Sequence, residues 1–339
     1  MKAAAQKIRH ALFAEMASLR LATANLIRAG FWSGLVSILV CSLLGYLGSV
    51  YWLFDLANHF RLQYWWSALL GLVVTAILRK WIWVAAALAC LILNSIYISP
   101  WISVAGTSVV KVGGQRIKLV QSNVLYNNAR YDEVIAALKD EAPDIAVLQE
   151  VTSTWAQQLE PLKAFFPAHH IEPQAYGTGI ALYSRHKFIK AETLDLCAGC
   201  RRTILAQIQI GTTPVNVLTI HPPTPTSASG AADRNRQFEA VAAYLNRLPA
   251  PKILIGDFND TVWSTSHARL LQQSQLINVR KGWGLWSSWP SWLRLAPFMI
   301  PIDHCLISPD LTVVSVRTGK NIGSDHLPFI VEVKMPQQK

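Results

Sequence analysis

The chain has 339 residues, of which 52% are hydrophobic, with a mean hydropathy of +0.27 and a formal net charge of +11. This length accommodates a sizeable globular domain, but the average composition is too apolar for such a domain alone. Residues 1–104 contain eight Lys and Arg residues against two acids, whereas residues 105–339 contain 23 against 18. The excess of +5 in the second part is scattered without a basic run, so it gives little support for a polyanionic substrate.

The first hundred residues predict a leader followed by membrane-spanning helices. Residues 1–28 are basic and Ala-rich. Residues 29–54 contain no charged residue, and this uncharged segment is longer than the roughly 20 residues needed to cross a bilayer. Two further apolar segments, 62–78 and 81–98, are near the minimum length. The prediction is three helices in a transmembrane region at 29–99, and the alternative is one long anchor with a buried helical hairpin.

The positions of the charges predict the orientation of these helices. Basic residues concentrate in the leader and in the turn formed by Arg79 and Lys80, which places both on the inside of the membrane. The short polar loop predicted at 55–61 then lies outside, together with a linker at 100–114 and a globular domain at 115–335. The globular domain then lies on the side of the membrane away from the cytoplasm.

Five cysteines are too few for a disulfide scaffold, but two of them form a CAGC motif. The spacing of Cys197 and Cys200 serves a metal-ligand pair, a redox site or a local disulfide. Because a zinc site normally needs a second ligand pair, and none stands out, we favour a disulfide in an oxidising compartment, with two free thiols as the alternative.

From residue 115 the pattern is that of an α/β domain. A strand at 117–120, a helix at 131–139 and a strand at 145–148 form a unit that normally gives neighbouring parallel strands. Asn123 and Glu150 follow the two strands, so we expect them at the same edge of the sheet.

Residues 252–260, KILIGDFND, change abruptly from a buried strand to polar side chains. In an extended segment Asp257 and Asn259 share a face, which directs a carboxylate and an amide at one object. An Asx turn is the alternative interpretation of this segment.

Polar residues recur at strand ends or in loops that flank strands throughout the α/β domain. Each has a structural explanation by itself, such as a satisfied histidine or a salt-bridged edge residue, but their common placement favours a site. The set consists of Asn123, Glu150, His221, Asp257, Asn259, Asp303, Asp325 and His326. Carboxylates that hold a hard cation, with a histidine oriented by a carboxylate, suit the hydrolysis of a phosphodiester.

The stretch at 282–301 is rich in Trp. It is either a loop that faces the substrate or the membrane, or a segment whose Trp side chains pack under a long loop.

The order of these motifs resembles the endonuclease/exonuclease/phosphatase superfamily of magnesium-dependent phosphodiesterases, in a membrane-anchored bacterial branch. The resemblance covers residues 115–335. The matching pieces are QSN at Asn123, PDIAVLQE at Glu150, GIALYSR, TIHP at His221, GDFN at 257–259, SWP at 288–290, IDH at Asp303 and GSDH at Asp325 and His326.

The resemblance implies a four-layer α/β sandwich, in which two facing mixed sheets are flanked by helices, preceded by the transmembrane segment. It implies a cofactor, Mg²⁺ with Mn²⁺ as the alternative, held by Glu150 with Asn123 and Asp325 nearby. It makes Asp257 the residue that positions or activates water, and Asn259 and His221 the residues that hold the phosphate. In the same way it makes Asp303 the residue that orients His326, which contacts the phosphate or transfers a proton. Leu125 stands where some members carry an acid, so a second metal is not implied.

The function that follows is that of a membrane-anchored, metal-dependent phosphodiesterase or nuclease facing outward. Its expected partners are the bilayer and a phosphodiester substrate, either nucleic acid or phospholipid. One alternative is a sphingomyelinase-like lipid phosphodiesterase or phosphatase. A second alternative is a catalytically silent membrane module that binds a partner, which the intact set of polar residues disfavours.

Overall fold

The computed structural model of the chain describes residues 2–102, 114–293 and 295–336. Most of the predicted linker, residues 103–113, lies outside the described residues. The helices are α1 (Lys2–Leu44), α2 (Trp52–Asn58), α3 (Arg61–Ile77), α4 (Trp81–Ile98), α5 (Tyr131–Glu141), α6 (Ser153–Gln158), α7 (Ala228–Leu245) and α8 (Thr265–Ser274). The strands are β1 (Arg116–Asn123), β2 (Ile145–Gln149), β3 (Ala168–Glu172), β4 (Ile180–Ser184), β5 (Phe188–Leu194), β6 (Thr203–Ile210), β7 (Thr213–Ile220), β8 (Lys252–Asp257), β9 (Ile277–Asn278), β10 (Asp303–Ile307), β11 (Thr312–Thr318) and β12 (Phe329–Lys334).

The strands form two six-stranded mixed sheets. The first has the order β11-β12-β1-β2-β4-β3, and the second has the order β5-β6-β7-β8-β10-β9. In each sheet one central pair is parallel, β1 with β2 and β7 with β8, and the other neighbours are antiparallel. A helix connects each parallel pair, α5 in the first sheet and α7 in the second. The predicted strand-helix-strand unit is confirmed.

The alternation of apolar residues along β8 shows how the layers are held together. Ile253 and Ile255 point into the core between the two sheets, whereas Leu254 packs on the outer face with residues of α7. Both faces of the strand are therefore buried, as three consecutive β-formers predict. A third cluster lies between the first sheet and helices α5 and α6. The result is a four-layer α/β sandwich, which confirms the predicted fold class.

The N-terminal helices differ from the predicted segments at their boundaries. The predicted first span at 29–54 is wrong in its limits, because α1 runs without interruption to Leu44 and ends in a 3₁₀ turn at Gly45–Leu47. A Cβ on Gly45 would lie 2.3 Å from Asn58 Oδ1, and Asn58 Nδ2 donates to the Gly45 carbonyl at 2.9 Å. The chain turns there because a glycine allows this close contact.

The predicted polar loop at 55–61 is also wrong, since Asp55 and Asn58 lie in α2 and Arg61 begins α3. All three side chains are buried. Arg61 donates to the Ser42 carbonyl of α1 at 2.8 Å and to Asn58. These polar groups join the helices to one another, so their charges do not mark a loop.

Two stretches of the described residues are long and apolar enough to cross a membrane. They are Ser18–Leu47, with 30 residues, and Trp81–Trp101, with 21, and only 17% and 22% of their apolar windows are buried. Helix α3 has 17 residues and packs against α4. The end of this helical unit rests on the sandwich, where Ile98 and Trp101 pack with Val262 and Trp263.

Candidate active site

The polar residues predicted from strand ends meet at one edge of the sandwich. Asn123 ends β1, Glu150 follows β2, His221 follows β7 and Asp257 ends β8. Asp303 begins the antiparallel neighbour of β8 and is paired with Asp257 across the ladder. The parallel order of the central strands therefore delivers side chains from both sheets to the same place.

Backbone geometry at two of these strand ends turns the side chains inward. Glu150 and Asn259 adopt positive φ angles of 65° and 49°. This left-handed conformation is uncommon for a residue other than glycine and costs about 1–3 kcal/mol, which the surrounding contacts must offset. A Cβ at Gly256 would lie 2.1 Å from the Ile220 carbonyl oxygen, so only glycine lets β8 approach β7 this closely.

Asn123 joins the two sheets across the site. Its Nδ2 donates to Glu150 Oε1 at 2.9 Å and to Asp257 Oδ2 at 3.0 Å. Its Oδ1 accepts the Leu125 N–H at 3.0 Å, and Glu150 Oε2 accepts the Tyr126 N–H at 2.9 Å. Both carboxylates are thereby fixed in position before any substrate binds.

Asp303 and His326 form a buried pair beside Asp257. His326 Nδ1 lies 2.8 Å from Asp303 Oδ2, and its Nε2 lies 3.6 Å from Asp257 Oδ2. Burial would lower the pKa of His326, but the charges of Asp303 and Asp257 outweigh burial and hold that pKa above its ordinary value. Burial would raise the pKa of Asp303, whereas the contact with His326 holds it below its ordinary value. Burial raises the pKa of Asp257. The arrangement is a carboxylate-oriented imidazolium facing a second carboxyl group.

His221 and Asn259 complete the cluster. His221 Nε2 lies 3.6 Å from Asp257 Oδ2, and burial, followed by the positive charges of Arg201 and His326, lowers its pKa. His221 is therefore a neutral ring. The N–H of Asn259 donates to Asp257 Oδ1 at 2.9 Å, which is the contact of an Asx turn, the alternative interpretation of this segment. The amide group of Asn259 donates to the Pro222 carbonyl at 3.0 Å.

The family follows from the sequence as a whole. A family model described as Endonuclease/Exonuclease/phosphatase family matches residues 113–326. The chain belongs to the endonuclease/exonuclease/phosphatase family. It is therefore grouped with hydrolases that act on phosphate esters. No curated protein matches its sequence.

Solved structures of the endonuclease/exonuclease/phosphatase family share the fold. A humanized D. rerio TDP2 superimposes with a TM-score of 0.55 at 17% identity, covering 65% of this chain and 99% of that one. A functionally unknown protein from Enterococcus faecalis gives 0.55 at 19% identity, with 65% and 100% coverage. A D. rerio TDP2 complexed with a single-strand DNA product gives 0.54 at 18% identity, with 65% and 100% coverage. At these identities the likeness establishes the fold.

One pocket of about 390 Å³ is lined by most of the candidate site residues. Six predicted residues line it: Glu150, His221, Asp257, Asn259, Asp325 and His326. Asn123 and Asp303 do not line the pocket and lie behind the residues that they hold. The structure thus brings all eight predicted residues into one connected site.

Arg201 also lines this pocket, although the sequence pattern did not single it out. Arg201 directly follows Cys200 in the chain. Cys200 forms a disulfide with Cys197, and their Cα atoms are 5.3 Å apart. Its Nη1 donates to the His221 carbonyl at 3.3 Å. Burial lowers the pKa of Arg201, and the charges of Asp257 and Glu150 act against that shift. The signal in the sequence that could have identified Arg201 is a basic residue directly after the CAGC motif.

The donor groups of the site fit the divalent metal that the family implies. Glu150, Asp257 and Asp325 place three carboxylates on the pocket. Asp325 Oδ2 accepts from Trp289 Nε1 at 3.0 Å, whereas its Oδ1 is buried and has no hydrogen-bond partner among the described residues. Hard oxygen donors of this kind suit Mg²⁺. Asp257, Asp303 and His326 also place ligand atoms within 4.8 Å of one another. The hydrogen bond between Asp303 and His326 already engages two members of that group.

Proposed function

We propose that this chain is a metal-dependent phosphodiesterase that hydrolyses phosphate esters in the pocket at the edge of the sandwich. The observation that supports it most strongly is the position of Asp257. Its carboxyl group contacts Asn123 and faces His221 and His326, each at 3.6 Å. A carboxylate in an ordinary exposed turn would not require three polar partners from three separate segments of the chain.

Each residue has a role that follows from its contacts. Asp257 positions the attacking water and takes its proton, while Asn259, His221 and Arg201 bind the phosphate oxygens. Water then forms a bond to phosphorus, and the bond from phosphorus to the leaving oxygen breaks. His326, held by Asp303, donates a proton to that oxygen.

Glu150 and Asp325 would hold the divalent cation, with Asn123 fixing the Glu150 carboxylate. When bound, Mg²⁺ would neutralise a non-bridging phosphate oxygen and stabilise the leaving oxygen. Mn²⁺, which accepts the same oxygen ligands, is the alternative.

A pair of variants tests this function on a soluble aryl phosphodiester with Mg²⁺. Asp257→Asn keeps the size and most hydrogen bonds of the side chain but removes the proton acceptor, so we expect activity to fall by about 100-fold or more. Asp140→Asn makes the same chemical change at an exposed position of α5 and should leave the rate unchanged. Equal rates for Asp257→Asn and the wild type would refute the assignment.

The N-terminal helices anchor this activity in a membrane, with the catalytic domain facing outward. The exposed apolar surfaces of α1 and α4 support this arrangement. The turn with Arg79 and Lys80 lies at the end of α3 opposite Gln63, which contacts the catalytic domain. Basic residues favour the cytoplasmic side, so the domain would be periplasmic or extracellular. An alkaline phosphatase fused after Lys339 should be active, and an inactive fusion at normal expression would contradict this orientation.

A further inference from the structure

Helix α2 of the N-terminal unit and the turn that follows it form part of the wall of the active-site pocket. Leu56, His59 and Phe60 line the same cavity as Asp257 and His326. These residues precede the matched family region, which begins at residue 113. The pocket of this chain is therefore completed by a segment that the catalytic sandwich does not itself contain.

A buried polar network fixes α2 to the sandwich. Asp55 Oδ1 accepts the Thr265 N–H at 2.6 Å, and its Oδ2 accepts from Ser266 at 3.2 Å. Arg234 lies between Asp55 and Asp260, with nitrogen-to-oxygen distances of 3.4 and 3.2 Å. Asp55, Arg234 and Asp260 are each at most 5% exposed. Buried charges with several partners of this kind hold the two units in one relative position.

The same network reaches the loop that follows β8 and contains Asn259 and Asp260. His59 Nε2 lies 3.2 Å from Asp260 Oδ1, and Asp260 directly follows Asn259 in the chain. Burial would raise the pKa of Asp260, but the charge of Arg234 and the contact with His59 hold it well below its ordinary value. Asp260 is thus an anion that joins α2 to the loop, and His59 is a positioning residue at the pocket wall.

Two of the three pocket residues from this segment, Leu56 and Phe60, are apolar, and the third, His59, contacts Asp260. The same pocket is also lined by Ile300 and Trp289 and by the polar residues Glu150, His221 and His326. A nucleotide would find few polar partners on Leu56 and Phe60. A phosphate that carries an alkyl chain matches both the polar and the apolar parts of this lining.

The surface beside the pocket carries further exposed apolar side chains. They lie before and within α2 and in the Trp-rich loop, and comprise Val50, Tyr51, Leu53, Trp292, Leu295 and Phe298. Gln63 of α3 donates to the carbonyl groups of Pro297 and Met299 at 3.0 and 3.2 Å, so this loop is attached to the helical unit. Exposed apolar side chains on segments attached to helices long enough to cross a bilayer favour a position at the lipid surface.

We propose that α2 and the turn after it form the specificity wall of this enzyme, and that the substrate is an amphiphilic phosphate ester drawn from a lipid surface. Its phosphate reaches Asp257 and His326, while its apolar chain lies along Leu56 and Phe60. This inference rests on the proposed function and names its substrate class. Hydrolysis breaks the bond between phosphorus and the leaving oxygen, and the water oxygen replaces it.

Two probes with the same scissile bond test the inference on the full chain in detergent micelles with Mg²⁺. They are hexadecyl p-nitrophenyl phosphate and methyl p-nitrophenyl phosphate, which differ only in the alkyl chain. We expect the wild type to prefer the hexadecyl ester. Leu56→Ser should lower the ratio of kcat/KM for the hexadecyl ester over the methyl ester about tenfold, since one buried side-chain contact is lost.

Leu53→Ser is the matched control, because it makes the same change on the exposed face of α2 and should leave the ratio at the wild-type value. Phe60→Ser provides a second test at a side chain that is 39% exposed, where folding tolerates the change. A wild-type ratio in both Leu56→Ser and Phe60→Ser would overturn the inference, as would a wild-type preference for the methyl ester. Hydrolysis of neither ester would instead overturn the proposed function on which the inference rests.

Discussion

The buried contacts of Arg234 allow us to predict how much this residue contributes to the stability of the fold. Its guanidinium is 2% exposed and is shared by Asp260 at 3.2 Å and Asp55 at 3.4 Å. Arg234→Met keeps much of the apolar stem but leaves two buried carboxylates without their common cation. Removing one partner of such a buried pair costs about 3–5 kcal/mol. At about 2–4 °C per kcal/mol for a domain of this size, the melting temperature should fall by roughly 6–20 °C.

The assay is thermal unfolding of the full chain in detergent, followed by tryptophan fluorescence. Arg236→Met is the control, because Arg236 lies on the same helix with a half-exposed side chain that pairs with Asp233 at 3.1 Å. An exposed pair of this kind contributes about 0–1 kcal/mol, so its loss should shift the melting temperature by only a few degrees. Equal melting temperatures for the two variants would contradict a stabilising role for the contacts of Arg234 with Asp55 and Asp260.

Three further predictions concern the site and the disulfide loop. Asp303→Asn removes the charge that orients His326, so kcat should fall by about 100- to 10,000-fold in a steady-state assay, and a loss below tenfold would contradict that role. Glu150→Gln should raise the Mg²⁺ concentration for half-maximal rate by at least about tenfold, and an unchanged metal titration would exclude Glu150 as a ligand. Replacing Cys197 and Cys200 by serine opens only a short loop, so unfolding free energy should fall by about 2 kcal/mol in a denaturant titration. A loss above about 4 kcal/mol would show that the loop does more than close a turn.

The sequence predicts which residues come together at the candidate site, because strand ends fix their positions. A strand-helix-strand unit places Asn123 and Glu150 at one edge, and the structure joins them by a hydrogen bond of 2.9 Å. The same reasoning brings Asp257 to this edge from the second sheet. Local patterns suffice here, since the parallel arrangement of two strands leaves a single direction for their carboxyl ends.

The connection between the helical unit and the site could not be predicted from local patterns. Asp55 and Arg234 are 179 residues apart in the chain, and each has an ordinary surface explanation when taken alone. Asp55 next to an apolar run predicts a loop that faces water, whereas its actual partners belong to α7 and α8. Pairing of buried charges depends on the tertiary arrangement, and a single sequence carries no signal for it.

The most direct test of the central claim is a metal titration of the full chain. The protein is first stripped with a chelator, and hydrolysis of a soluble aryl phosphodiester is then followed as Mg²⁺ is added. We expect no turnover in the stripped protein, recovery on addition of Mg²⁺ and no recovery in Asp257→Asn. Turnover that persists in the chelator, or that Asp257→Asn retains, would contradict a metal-dependent phosphodiesterase at this pocket.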